Sequence, residues 1–225
     1  IIILYLFLFV LTGFSQPLLN EIMSSNITSI EDEYDVDQRN CPVPDCDWWY
    51  EQMGESTHDG DYPDWIEIYN PGSATVNLKD YGLSDDPSDL YKWTFPNVTI
   101  APKEYLLVFA SGKDRKEPNE VKTYMHTNFK IDRLGETIIL TDNAGKLCDN
   151  IDTGEIPLDF SLGRYPDGAT NWVVFSQPTP AKHNATTPFP GFTDTVYLSP
   201  NAGFYNSTLS LVLSANSSTA KIYYT

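Results

Sequence analysis

The feature that most limits how this chain can fold is the period of its apolar residues. They alternate or run in short blocks, and no stretch sustains the 3.6-residue spacing of an amphipathic helix. Trp65-Ile-Glu-Ile-Tyr69 alternates and stops at the turn sequence Asn70-Pro-Gly72. Segments 18–23, 75–78, 91–95, 98–100 and 172–175 read as further strands. Segment 105–110 is a continuous apolar run, as expected of a central strand. Segments 136–141 and 146–151 flank Asp142-Asn-Ala-Gly145, the signature of a hairpin. Many short strands with frequent turn residues predict an all-β sandwich or barrel. Ile66 and Ile68 are expected in its core with Val76, Leu78, Leu107, Phe109, Ile138 and Leu140, while Trp65, Glu67 and Tyr69 face the other way.

The ends bear on the compartment. Ile1 to Leu11 form one uncharged apolar run, short for a bilayer span, followed by the small residues Gly13 and Ser15. That pattern predicts a signal peptide over 1–15, lacking its basic start, with cleavage after Ser15. The protein is therefore expected to be secreted or held at the cell surface, with no transmembrane span after cleavage. The prolines between Gln177 and Pro190 suggest an extended linker. The main domain is placed at 16–186. Segments 195–198, 209–213 and 221–224 read as strands of a second β domain over 187–225, expected to be incomplete because 220–225 reads as the middle of a strand.

Between the first two strands lies an acidic insertion at about 26–63. It carries Glu31, Asp32, Glu33, Asp35, Asp37, Asp45, Asp47, Glu51, Glu55, Asp59 and Asp61 against Arg39 alone. A loop of this length within a compact domain is uncommon and usually functional or disordered. Its aromatic cluster Trp48-Trp49-Tyr50 is a candidate ligand-binding patch for sugars or a partner protein, or else a small core pinning the loop. Cys41 and Cys46 flank Pro-Val-Pro-Asp and form a candidate loop disulfide, which leaves Cys148 over.

The formal net charge of -17 repels phosphate backbones and argues against nucleic acid as a partner. No G-x-S-x-G elbow, H-E-x-x-H pair or P-loop occurs, and His58, His126 and His183 share no metal-ligand spacing. His126 reads as a loop histidine, and Ser111-Gly-Lys-Asp-Arg115 as a turn after the central strand. Carboxylates stand close together at Asp59, Asp61 and Asp64, and again at Asp85, Asp86 and Asp89. They are hard oxygen ligands of the kind calcium prefers, or else solvated acidic loops. No other cofactor is indicated. Arg164 precedes the turn Tyr165-Pro-Asp-Gly168 and is either a ligand-binding arginine or the partner of a carboxylate such as Glu67 or Glu136. Asn26, Asn97, Asn184, Asn206 and Asn216 each begin an N-x-[ST] sequon.

Taken in order, several of these pieces resemble the bacterial lamin-tail domain. They are Asn20-Glu-Ile22, Asp64-Trp-Ile-Glu-Ile-Tyr-Asn70, Leu83-Ser-Asp-Asp86 and Lys92-Trp-Thr-Phe95, then 105–115, His126-Thr-Asn-Phe-Lys130, Gly135-Glu136, Gly163-Arg-Tyr-Pro-Asp-Gly168, Trp172 and Pro178-Thr-Pro180. The resemblance runs from about Pro17 to His183 and implies an immunoglobulin-like β-sandwich. The long acidic insertion departs from the pattern. Gly203-Phe-Tyr205, 209–213 and 222–225 resemble the start of a chitobiase-type carboxy-terminal β domain. In secreted bacterial proteins such modules precede a domain resembling spore-coat protein H kinases. Three functions follow as expectations. The first is a non-catalytic module attaching an exported protein to a protein, surface or matrix. The second is an accessory region of an enzyme (kinase-like, phosphatase or nuclease) lying beyond residue 225. The third is a carbohydrate-binding module, with an extracellular polymer as its partner. If either acidic cluster binds calcium, the ion will raise the melting temperature and a chelator will lower it; identical melting curves dispose of the idea.

Overall fold

The computed structural model describes residues 16–32, 62–116, 124–188, 196–200 and 203–215. The chain forms two compact units, Ile1–Pro188 and Phe189–Thr225.

The first unit is a β-sandwich. β1 (Leu18–Met23), β2 (Asp64–Tyr69), β7 (Tyr105–Ala110), β8 (Met125–His126), β11 (Ser161–Arg164) and β12 (Trp172–Phe175) form a six-stranded sheet in the order β12-β11-β1-β2-β7-β8. β4 (Gly82–Ser84), β5 (Trp93–Thr94), β9 (Thr137–Thr141) and β10 (Leu147–Asp152) form a four-stranded sheet in the order β10-β9-β4-β5. β3 (Val76–Asn77) and β6 (Thr99–Ile100) make a short ladder of their own. Pairing is antiparallel except between β7 and β8. The expected hairpin is present between β9 and β10, and Gly145 takes the left-handed conformation (φ 86°) in its turn.

Side-chain alternation sorts the large sheet into two faces. Its inner face brings Leu19, Ile22, Ile66, Ile68 and Val108 against Leu83, Trp93, Ile138 and Leu140 of the other sheet, in one buried core. Leu78 joins this core, and Val76 packs against it half-buried. Leu107 and Phe109 do not. The β2–β7 register pairs Ile66 with Val108 and Trp65 with Phe109, so Phe109 follows Trp65 to the outer face. There Met23, Trp65, Leu107 and Phe109 form a second buried cluster, under Ile30 and Tyr124. The alternation within each strand was legible; the pairing that decides which set meets which was not. Both faces of the large sheet are therefore covered, which is why Glu21 and Glu67 on the outer face are fully buried.

The second unit contains the antiparallel pair β13 (Tyr197–Ser199) and β14 (Val212–Ser214). Tyr197, Leu198, Leu211 and Val212 on or beside these strands are exposed. Among the described residues no helix is long and apolar enough to cross a membrane.

The outer cluster carries stability as a core does. Phe109→Ala is expected to lower the unfolding free energy by about 3–5 kcal/mol, whereas Leu147→Ala at the exposed sheet margin is expected to stay within about 0.5 kcal/mol. Equilibrium denaturant unfolding of the two variants checks this.

Candidate functional site

Polar residues converge on the outer face of β1, β2 and β11. Glu21 stands directly across from Glu67 in the β1–β2 ladder and from Gly163 in the β1–β11 ladder. A Cβ at position 163 would meet the Phe175 ring at 2.9 Å, Asn184 Nδ2 at 3.0 Å and Glu21 Cγ at 3.1 Å, so a glycine there is what admits the network. Glu21 accepts a hydrogen bond from the Ser161 hydroxyl and from the Thr179 N–H at 3.1 Å. Glu67 Oε1 accepts from Asn20 Nδ2 at 2.9 Å and its Oε2 from the Ala181 N–H at 2.7 Å. Asn20 Nδ2 also reaches Asp167 Oδ1 at 3.0 Å, and Asn20 Oδ1 accepts from the Gly168 N–H at 3.1 Å. Asp167 takes further bonds from the Tyr105 hydroxyl at 2.6 Å, the Asn184 N–H at 3.1 Å and His183 Nδ1.

Two kinds of carboxylate result. Burial pushes the Glu21 carboxyl above its usual range. Burial, and then the facing Glu21, push Glu67 higher still. Burial also opposes the charge of Asp167, but the bonds from Tyr105, Asn20, His183 and the Asn184 N–H outweigh it and hold that carboxyl low.

Thr179, Ala181, His183 and Asn184 lie on the proline-rich segment read as a linker. It is a strap instead. The Thr186 hydroxyl bonds to Gln177 O at 3.0 Å, the Lys182 N–H bonds to Thr179 O at 3.0 Å, and Ala181 takes a left-handed turn (φ 58°). The prolines signalled extended backbone, but carboxylates from distant strands supply the acceptors that dock it.

Arg164 faces the other side of the sheet. Its Nη2 reaches both oxygens of Asp149, at 3.0 and 2.8 Å. Its Nε donates to Leu19 O at 2.7 Å and its Nη1 to Ala169 O. The guanidinium lies over the Trp172 ring, 4.6 Å from the centroid. The expected partners Glu67 and Glu136 are both wrong. Glu67 is on the outer face, and Glu136 Oε1 accepts from the Asp132 N–H at 2.7 Å. Asp149 follows a register shift in β10, and its Oδ2 also accepts the Leu19 N–H at 2.9 Å, beside a shift in β1. Two irregularities thus meet, and one ion pair staples the two sheets. With its donors committed to these contacts, Arg164 acts as a structural residue.

The acidic insertion leaves the sandwich through a clamped neck. Asn26 Nδ2 donates to Ile30 O at 2.6 Å on the outgoing chain and to Pro63 O at 3.0 Å on the returning one. Asp159 Oδ1 accepts the N–H groups of Ile27 and Thr28 at 2.7 and 2.9 Å. Lys113 pairs with buried Asp32 at 2.6 Å. An open cavity of about 440 Å³ lies beside the neck, lined among others by Tyr62, Asp64, Ser111, Lys113 and Lys130. Burial raises the Asp64 carboxyl to about 6, against the lowering effect of the Asn26 and Ile131 N–H groups and of Lys130.

Ser111 Oγ lies 2.9 Å from His126 Nδ1, the separation of a nucleophile and its base. On the far side of the ring Arg115 Nη1 stands 3.4 Å from His126 Nε2. Ser111 Oγ also accepts the Lys113 N–H at 3.2 Å, which ties the hydroxyl into the turn after β7. His126 is on β8 and fully buried, not on a loop. Ser111 does begin the turn after β7, as expected.

Asp64 opens β2, apart from the second acidic cluster. In that cluster Lys92 pairs with Asp85 at 2.6 Å, and Asp86 Oδ1 accepts from the Ser88 N–H and hydroxyl at 2.8 and 2.7 Å. Asp89 lies in the same turn, its N–H on Asp86 O at 3.1 Å. Among the described residues no group of three or more His, Cys, Asp or Glu is arranged to hold a metal. Trp48, Trp49, Tyr50, Asp59, Asp61, Cys41 and Cys46 lie outside the described residues, as does segment 1–15. Cys148 is a free thiol, half-buried, and burial raises it to about 11. The sequon amides of Asn26 and Asn184 are spent internally, Asn184 Nδ2 on Arg164 O at 2.9 Å, while Asn97 and Asn206 are exposed.

Residues 50–155 match the family model of the Lamin Tail Domain. With the fold described above, this defines the class over that segment as a β-sandwich module similar to lamin-tail domains. The match spans β2 to β10; β1, β11 and the strap, which complete the carboxylate network, lie beyond it. No curated protein matches the chain.

A raised folded pKa means that the stability a carboxyl contributes is full below its unfolded value and is lost as pH rises through the folded one. For Asp64 that window runs from about pH 4 to pH 6. Asp64→Asn is expected to flatten the fall of melting temperature across this range relative to the parent protein, measured by thermal melts at fixed ionic strength.

Proposed function

We propose that this chain is a non-catalytic binding and structural module of an exported multidomain protein, attaching it to a protein partner at a cell surface or in an extracellular matrix. One observation carries the reading. In the first unit, Asn20, Glu67, Arg164 and Asp167 from the pieces that resemble the lamin-tail domain are committed to internal contacts, while a long acidic insertion leaves through a neck clamped by Asn26. A rigid frame bearing a variable loop is the arrangement by which such sandwiches bind. With a net charge of -17, the partner surface is expected to be basic. The second unit we read as a chitobiase carboxy-terminal-like β domain, on the strength of Gly203-Phe-Tyr205 and 209–213. A parent of the type associated with spore-coat protein H kinases fits this order of modules.

The neck makes the reading testable. A chain with 33–61 replaced by a short Gly-Ser linker is expected to melt at the parent temperature and to lose retention on intact cells or isolated matrix of its source, followed by surface labelling. Undiminished retention would sink the proposal.

A further inference from the structure

The outer-face network holds more contacts than it has hydrogens. Thr179 Oγ1 lies 2.8 Å from Asn184 Oδ1 and 2.9 Å from Glu21 Oε2. A hydroxyl carries one hydrogen. The Asn184 amide cannot be turned round, because its other end lies 2.9 Å from the Arg164 carbonyl oxygen, which only accepts. Nδ2 therefore faces Arg164, and Oδ1, which cannot donate, faces Thr179. The hydroxyl hydrogen belongs to the contact with Asn184. The contact between Thr179 Oγ1 and Glu21 Oε2 then lacks a hydrogen unless Glu21 supplies it.

We propose that Glu21 is a neutral carboxylic acid in the folded protein, with a proton on Oε2 donated to Thr179 Oγ1, and that this proton latches the strap 177–186 to the sandwich. Oε1 is then a carbonyl-type oxygen, and it accepts from the Ser161 hydroxyl and from the Thr179 N–H at 3.1 Å, the shorter leg of a contact that also reaches Oε2 at 3.3 Å. A one-way chain of donors runs from Glu21 through Thr179 and Asn184 to the Arg164 carbonyl. Glu67 is different. Its oxygens accept from Asn20 Nδ2 at 2.9 Å and the Ala181 N–H at 2.7 Å, and neither contact calls for a proton on Glu67, so it is the ionised member of the facing pair.

Charge and burial require a proton within the pair, and burial raises Glu67 further than Glu21; the hydrogen count at Thr179 is what places the proton on Glu21. Two fully buried carboxylates directly opposite one another cannot both ionise without a cation between them. The other titratable groups on this side of the pair are Asp167 on the β11–β12 turn, Tyr69 on β2 stacked on Tyr105 of β7, and His183 on the strap. Tyr105 and His183 are both bonded to Asp167. The Arg164 guanidinium is on the opposite face, with Asp149. The Glu21 contact therefore loosens with alkali, whereas the strap's bonds to Asp167, whose carboxyl is held low, are the ones lost with acid. As pH rises through the raised value, Glu21 loses the hydrogen that Thr179 accepts, and a second charge comes to face Glu67.

Two measurements on the full chain test this. In carbon-13 NMR of the glutamate side-chain carboxyls, the Glu21 signal, assigned by its loss in Glu21→Gln, is expected at the neutral-acid position at pH 7. The ionised position would overturn the proposal. In thermal melts at pH 7, Glu21→Gln is expected to fall within about 1 °C of the parent, because its Nε2 donates to Thr179 where the acid did. Glu67→Gln is expected to melt several degrees lower, because one NH2 hydrogen must point at an N–H donor. A Glu21→Gln chain that melts as low as Glu67→Gln, or does not fold, overturns the proposal. Should Glu67→Gln fail to fold, the NMR position decides.

Discussion

The structure depends on how β1, β2 and β7 are paired. That register aligns Ile22 with Ile66 and Ile66 with Val108, and so assembles the inner core. The same alignment necessarily puts Glu21 beside Glu67 on the reverse. A carboxylate pair on a solvated face would need nothing. Here the face is covered, and each polar atom placed there needs a partner, since an unsatisfied buried group costs about 1–3 kcal/mol. The strap supplies Thr179 and Ala181 N–H groups, β11 supplies the Ser161 hydroxyl, and Asn20 links Glu67 to Asp167. The outer face is thus held by hydrogen bonds at one end and by Met23, Trp65, Leu107 and Phe109 at the other.

On the inner side a single ion pair has a comparable place. Arg164 and Asp149 come from different sheets and are brought together where β10 and β1 are irregular. Together the two arrangements explain why several sequence pieces that carry the lamin-tail resemblance are polar although they are buried. Asn20-Glu21, Glu67, Gly163-Arg164 and Asp167-Gly168 are sites of internal bonding. They are poor candidates for ligand recognition because their donors and acceptors are already engaged.

The sequence by itself determined the all-β class, the position of most strands in the first unit, the β9–β10 hairpin, and the strand alternation that separates Ile66 and Ile68 from Trp65 and Glu67. These follow from local chemistry: period two, turn residues and apolar runs are properties of neighbours along the chain. Tertiary structure alone decided which face of one strand meets which face of the next, and so moved Leu107 and Phe109 out of the inner core. It also gave Arg164 to Asp149, made a linker-like proline segment into a strap, and set the His126 ring 2.9 Å from the Ser111 hydroxyl. Each of these depends on contacts between residues far apart in the chain. Spacing cannot encode them, because a side chain's partner is set by strand register and by what covers the face on which it lies.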